Sequence, residues 1–151
     1  MSIFMANVFV LDTNSLISYF SDIFGAPCSV SSNAVSIIRR AFRDDPFVRL
    51  SIPSVIFVEI FEKWFKSEEF CRKFMVEVFH PITSAPTIEI KCIDQEVLEN
   101  FITIDDRVVN LENHDKIILA CAMMLNCPLI TCDPKIIEYV EKHKVIPLII
   151  S

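Results

Sequence analysis

The chain has 151 residues, 52% of them apolar, a single glycine and a formal net charge of −6. That length allows one domain with a substantial core, and that composition excludes a disordered chain. No apolar run approaches the roughly 18 residues of a membrane-spanning helix, so no membrane partner is expected. The longest run, 117–125, reads as a buried helix. The start Met1-Ser2-Ile3-Phe4 has no basic segment ahead of its apolar stretch, which argues against a secretory leader and places the protein in the cytoplasm. The acidic balance weighs against a tight binder of nucleic-acid grooves, although carboxylates gathered around a metal would lower the net charge of a nuclease in the same way. Two local basic groups, Arg39, Arg40 and Arg43, then Lys63, Lys66, Arg72 and Lys73, read first as solvated helix faces.

In chain order, 8–11 forms a buried strand and 13–24 a helix directly after it. Ser31 or Ser32 caps a helix running to about Asp44, which Pro46 stops. A strand at 49–52 leads into a helix opened by Pro53-Ser54 and reaching about Lys66. Another helix covers 68–79, ahead of Pro81. The segment 87–92 alternates polar and apolar residues and belongs nearer a sheet edge. Helices follow over 94–109 and 113–126, with Asn126 able to supply a left-handed terminal cap. A strand at 128–131, a helix from Asp133-Pro134 to near His143, and a strand at 145–149 complete the chain. Strands alternating with helices imply parallel pairing, and no linker or repeat interrupts residues 1–151, so one domain is expected.

Gly25 is the only glycine, which excludes the glycine-rich loops that cradle phosphates. Cys28, Cys71, Cys92, Cys121, Cys127 and Cys132 form no C-x-x-C pair, and no two His stand four apart, so no zinc cluster is expected. The six are expected to be reduced and mostly buried.

The placement of carboxylates carries the chemistry. Asp12 directly follows the first strand and Asp133 stands just after 128–131, both at carboxyl ends of buried strands, where open α/β sheets bind ligands. Asp115 falls in the first turn of the 113–126 helix, and Glu59 lies inside the apolar helix Ser54-Val55-Ile56-Phe57-Val58-Glu59-Ile60. Each has an ordinary structural reading. Asp12 and Asp133 suit helix caps, Asp115 suits a helix N-terminus, and Glu59 pairs with Lys63 at i,i+4 within a stripe that includes Glu62 and Lys66. Brought together, four carboxylates would repel unless a hard cation joined them. Mg²⁺ or Mn²⁺ takes oxygen ligands, keeps several waters and meets substrate phosphate, activating water for attack on a phosphodiester. Asn14 and Thr131 stand where they could orient the carboxylates or the waters. Spacing alone does not bring Glu59 and Asp115 to the other two.

Four segments in order resemble the motifs of PIN-domain ribonucleases. Val8-Phe9-Val10-Leu11-Asp12-Thr13-Asn14 looks like the opening strand motif, and 54–60 resembles the helix that carries a single essential glutamate. His114-Asp115-Lys116-Ile117-Ile118-Leu119-Ala120-Cys121-Ala122 is similar to the third acidic motif, and Leu129-Ile130-Thr131-Cys132-Asp133 to the closing strand-T-x-D motif. The resemblance spans about Val8 to Ile149 and implies a PIN-like three-layer α/β/α sandwich with a mainly parallel sheet of about five strands. It implies Asp12, Glu59, Asp115 and Asp133 as metal ligands and catalytic groups, Mg²⁺ or Mn²⁺ as cofactor, and RNA as substrate. It selects Glu59 over Glu62. Members of this size are commonly toxins of toxin–antitoxin pairs of the VapC type, so a small antitoxin and a homodimer are implied partners. The stretch 21–50 is long for a minimal toxin, and the aromatic-rich 68–79 helix suggests a further surface. A non-catalytic PIN-like interaction module is the alternative. A response-regulator receiver would want an acidic pair after its first strand and Lys-Pro after its fifth, and a haloacid-dehalogenase-type phosphatase would want D-x-D where this chain has Asp12-Thr13-Asn14.

Overall fold

The computed structural model describes residues 7–64, 67–144 and 148–151. Strands β1 (Asn7–Leu11), β2 (Val48–Pro53), β3 (Ile88–Lys91), β4 (Leu129–Ile130) and β5 (Ile149–Ile150) join in one sheet in the order β3-β2-β1-β4-β5. Every neighbouring pair is parallel, with Val10 of β1 opposite Ser51 of β2 on one side and Leu129 of β4 on the other. The segment expected near an edge, 87–92, supplies the edge strand β3. A receiver would order its strands 2-1-3-4-5. Here β1 is central and the order reverses between β1 and β4, which removes that reading.

Helices alternate with the strands. They are α1 (Thr13–Tyr19), α2 (Ser21–Phe24), α3 (Ser32–Phe42), α4 (Val55–Trp64), α5 (Glu68–Phe74), α6 (His80–Ser84), α7 (Gln95–Thr103), α8 (Asn113–Leu125) and α9 (Pro134–His143). Their starts follow capping chemistry: Asp12, Ser31, Ser67, Asp94 and Asp133 each accept a hydrogen bond from a backbone N–H of the first turn. Asn126 closes α8 in the left-handed region at φ 52°, as its position after the apolar run suggested.

Four boundaries differ from the sequence expectation. The helix expected over 13–24 breaks at Phe20, and its second piece, α2, ends on Gly25 at φ 63°, a conformation that glycine adopts freely. The helix expected to stop before Pro81 instead runs through it. A π-helical turn, Met75–Phe79, widens the ladder just ahead of the proline, and α6 continues directly. The helix expected over 94–109 ends at Thr103. Beyond it Asp105 draws the chain away, its N–H donating to Tyr139 Oη at 3.0 Å and its carboxylate accepting from Arg107 N at 3.1 Å. The strand expected over 145–149 is observed as β5, with residues 145–147 outside those described, as are the last two residues of the helix expected to reach Lys66. The cysteines differ as well: all six are free thiols, yet only Cys121 is buried, and Cys28 and Cys92 are exposed.

The core fills both faces of the sheet, with Val10, Leu11, Leu50, Ile52, Leu129 and Ile130 essentially inaccessible. Helix α4 is gripped on two sides. Val55, Ile56, Glu59 and Ile60 are buried on one side. On the other, Phe57 and Phe61 meet Phe74 edge-on at 6.2 and 5.0 Å, and Phe24 packs against both Trp64 and Phe74. Helix α8 packs against α7, α4 and β1. This double grip fixes the rotation of α4 and hence the direction of Glu59. Removing the ring at the centre should loosen it: Phe74→Ala is expected to cost about 3–4 kcal/mol. Urea unfolding should show a lower midpoint with an unchanged slope, whereas a loss under about 1 kcal/mol would mean that the cluster does not hold α4.

Candidate functional site

Asp12 leaves β1 at the point where the strand order reverses, and its N–H donates to the Ile130 carbonyl of β4 at 3.2 Å. It caps α1 through Oδ1, which accepts from Ser15 N at 2.8 Å, while Thr131 Oγ1 donates to Oδ2. Ser15 Oγ lies 2.5 Å from Asp12 Oδ1 and 2.8 Å from the Ile130 carbonyl oxygen. The Ser15 hydroxyl is thus shared between the Asp12 carboxylate and the Ile130 carbonyl, tying the end of β1 to β4. Burial pushes the Asp12 carboxyl above its usual range; hydrogen bonds from Ser15 and Thr131 oppose the shift and the nearby Asp133 charge adds to it.

Glu59 arrives from α4 and is only 4% exposed, which corrects its reading as part of a solvated stripe. Its i,i+4 pairing with Lys63 is nonetheless present, Nζ lying 2.8 Å from Oε1, and Thr13 Oγ1 donates to Oε2. The Lys63 ammonium is held above its ordinary range, first by that hydrogen bond to Glu59 and then, against partial burial, by the charges of Glu59, Glu112 and Asp115. Asp115 stands in the first turn of α8 and is half-buried. Its carboxyl is pushed up to about 7, by burial first and then by Asp133, Glu59, Glu112 and Asp12. Asp133 caps α9, accepting from Lys135 N at 2.8 Å, while its own N–H donates to Thr131 Oγ1 at 3.1 Å. Thr131 thereby sets both strand-end aspartates.

The four carboxylates line one open cavity of about 390 Å³, together with Thr13, Asn14, Lys63, Glu112, Pro134 and Lys135. Spacing could not establish that convergence. The packing of α8 on α4 and β1 produces it. Asn14 faces the cavity but makes no hydrogen bond to any of the four carboxylates, unlike Thr131. Sequence reasoning did not single out Thr13, Ser15, Glu112 or Lys135. Ser15 was legible in principle, because a cap at Asp12 places residue 15 within reach of its carboxylate.

Five carboxylates and two ammonium groups face this space, and the upward displacement of Asp115 records the imbalance. The donors on this wall are hard oxygens, which suit Mg²⁺ or Mn²⁺ and not a soft metal. Among the described residues, no three His, Cys, Asp or Glu side chains stand close enough to enclose an ion directly. A small divalent ion held by one or two carboxylates and its own waters fits this arrangement; a fully protein-caged ion does not. Among the described residues no helix is long and apolar enough to cross a membrane.

No protein-family profile matches the sequence, and no curated protein does. Solved structures do match. One is VapBC2 from Rickettsia felis bound to a DNA fragment from their promoter, at 16% identity and TM-score 0.61, covering 95% of this chain and 97% of that one. FitAcB from Neisseria gonorrhoeae matches at 12% identity and TM-score 0.62, over 95% and 96% of the two chains. A toxin–antitoxin complex from Klebsiella pneumoniae matches at 22% identity and TM-score 0.55, over 94% and 95%. At such identities the likeness establishes the fold, which is the PIN-like α/β arrangement around a parallel sheet.

The charge imbalance has a measurable consequence. An acid whose folded pKa is raised, from 3.8 to about 7 for Asp115, contributes no penalty below the unfolded value and an increasing one as pH rises to the folded value. Asp115→Asn should therefore stabilise the metal-free protein progressively between about pH 4 and pH 7, with no further gain above that. The gain should reach about 1–2 kcal/mol, well under the full converted shift because the group is partly solvated. Thermal unfolding of the chelated proteins across that range checks it, and a difference that does not change with pH would contradict it.

Proposed function

We propose that this chain is a metal-dependent endoribonuclease of the PIN type, acting as the toxin of a toxin–antitoxin pair. The observation that carries the reading is the meeting of Asp12, Glu59, Asp115 and Asp133 in one cavity at the carboxyl ends of β1 and β4. That is the crevice where strand order reverses, and where open parallel sheets take their ligands. Groove openness and hard-oxygen lining suit a phosphodiester strand crossing a cation.

Bound Mg²⁺ or Mn²⁺ would supply a water of lowered pKa and shield the charge that develops on the phosphate. Asp12 and Asp133, fixed by Thr131 and by their helix caps, form the rigid side of the site. Glu59, held by Thr13, faces them from α4. Asp115 is the carboxylate that must release a proton for a cation to settle, so cation affinity should rise with pH through about 7. Lys135, exposed at the cavity rim, is placed to attract the strand.

The structural neighbours include toxin–antitoxin complexes, which supports a small antitoxin as partner and, in two of those neighbours, recognition of DNA by the complex. A homodimer accords with the resemblance drawn from the sequence motifs. The competing reading is a PIN-like module without activity; the intact carboxylate set and the charge imbalance favour the enzyme.

The experiment is cleavage of a single-stranded RNA with added Mn²⁺ or Mg²⁺, comparing wild type with Asp12→Asn. Wild type should cleave and the variant should lose at least about 100-fold, the scale expected when a group essential to positioning the attacking water is removed. Chelation should abolish the wild-type activity. RNA left intact by wild type under every divalent metal would refute the enzyme. Toxicity is tested separately by induced expression, which should slow growth for wild type and not for Asp12→Asn; equal growth would remove the toxin role and leave the nuclease standing.

A further inference from the structure

Both oxygens of Glu59 are engaged, Oε2 by Thr13 Oγ1 and Oε1 by Lys63 Nζ at 2.8 Å. The two partners differ in kind. Thr13 is buried and fixed at the start of α1, whereas the Lys63 side chain is 51% exposed against 6% for Glu59. A buried carboxylate among four others needs a positive charge close by, and Lys63 is the group that provides it. Its stem is flexible, its ammonium is a strongly hydrated point charge, and it can leave without disturbing the core. Lys135, which lines the same cavity, has its backbone N–H in the α9 cap and no ion-pair partner among the described residues. The two lysines of one cavity are thus in different states, one committed and one free.

A divalent cation drawn to Glu59 would compete with Lys63 for Oε1 and repel Nζ at short range. The displaced ammonium remains tethered to α4 one turn beyond Glu59, on a half-exposed side chain in the cavity wall. The anion that comes to that cavity is the phosphate of a bound strand. We propose that Lys63 is a movable counter-cation: it neutralises Glu59 in the metal-free protein, yields that carboxylate to the divalent ion, and then takes a phosphate oxygen of the bound RNA. This rests on the metal-dependent reading above and adds a positioning residue to it. The plain alternative is a fixed i,i+4 pair of the kind found on any helix surface. Such a pair joins two exposed side chains, and here one partner is buried in the site.

The test uses the full chain, Lys63→Met and Lys63→Arg, with two readouts other than cleavage. Mn²⁺ affinity is read from the paramagnetic resonance of the free ion. Affinity for a single-stranded 2′-O-methyl oligonucleotide is read by fluorescence anisotropy at saturating Mn²⁺. Lys63→Met should bind Mn²⁺ about three- to tenfold more tightly and the oligonucleotide about three- to tenfold more weakly, the scale of one charge contact at a half-exposed site. Lys63→Arg should keep the oligonucleotide affinity, since a guanidinium also grips phosphate. A fixed structural pair would weaken both affinities or move neither. If wild type and Lys63→Met bind Mn²⁺ equally, or Lys63→Met holds the oligonucleotide as wild type does, the handover is wrong and the metal site stands. If neither binds Mn²⁺, the handover and the metal reading fall together. If only Lys63→Met binds it, the ammonium does not yield to the ion and the handover is wrong. Should Lys63→Met not fold, Lys63→Gln takes its place in the same two measurements.

Discussion

The carboxylate of Asp12 is the joint on which the rest of the site hangs. It lies between β1 and β4, takes the Thr131 hydroxyl on one oxygen, and caps α1 through the other. Its own N–H is bonded to the Ile130 carbonyl. One residue thus ties two strand ends to a helix start. Thr131 extends the tie by accepting from the Asp133 N–H, so the cap of α9 is registered to the cap of α1. Such a joint costs something in the metal-free protein, because Asp12 is buried 3% exposed with Asp133 adding charge nearby.

Around that joint the fold collects more negative charge than it neutralises. Asp115 is brought in by α8 and Glu59 by α4, and both helices are held by apolar contacts that have nothing to do with the carboxylates. Packing therefore imposes the repulsion, and the site relieves it in two ways: Asp115 holds its proton to about pH 7, and Glu59 takes the Lys63 ammonium. Both are the responses expected where carboxylates are crowded together with partial burial. On the function proposed above, activity and stability are opposed at these residues.

Much of this was legible in the sequence. Strand ends at Asp12 and Asp133, a first helical turn at Asp115 and the alternation of strands with helices all followed from periodicity and capping. The sheet edge was readable in the alternation of 87–92. What spacing could not supply was rotation. Glu59, Glu62, Lys63 and Lys66 fall on one ordinary polar stripe, and only the aromatic cluster on the far side of α4 turns Glu59 inward. The π turn before Pro81 was hidden for a related reason: a proline ends a helix by default, and the widened turn that spares it has no simple sequence mark. The early end of α7 depends on Tyr139, 34 residues beyond Asp105, which no local window includes.

The central claim is that divalent metal binds in the cavity that these four carboxylates line. Crystals soaked in Mn²⁺ and measured at a wavelength where manganese scatters anomalously test it most directly. The account predicts an anomalous peak inside the cavity bounded by Asp12, Glu59, Asp115 and Asp133, with one or two carboxylate oxygens at about 2.0–2.2 Å and waters completing the shell. Manganese bound only elsewhere on the surface, or a cavity without a peak at saturating Mn²⁺ and pH 8, would contradict it.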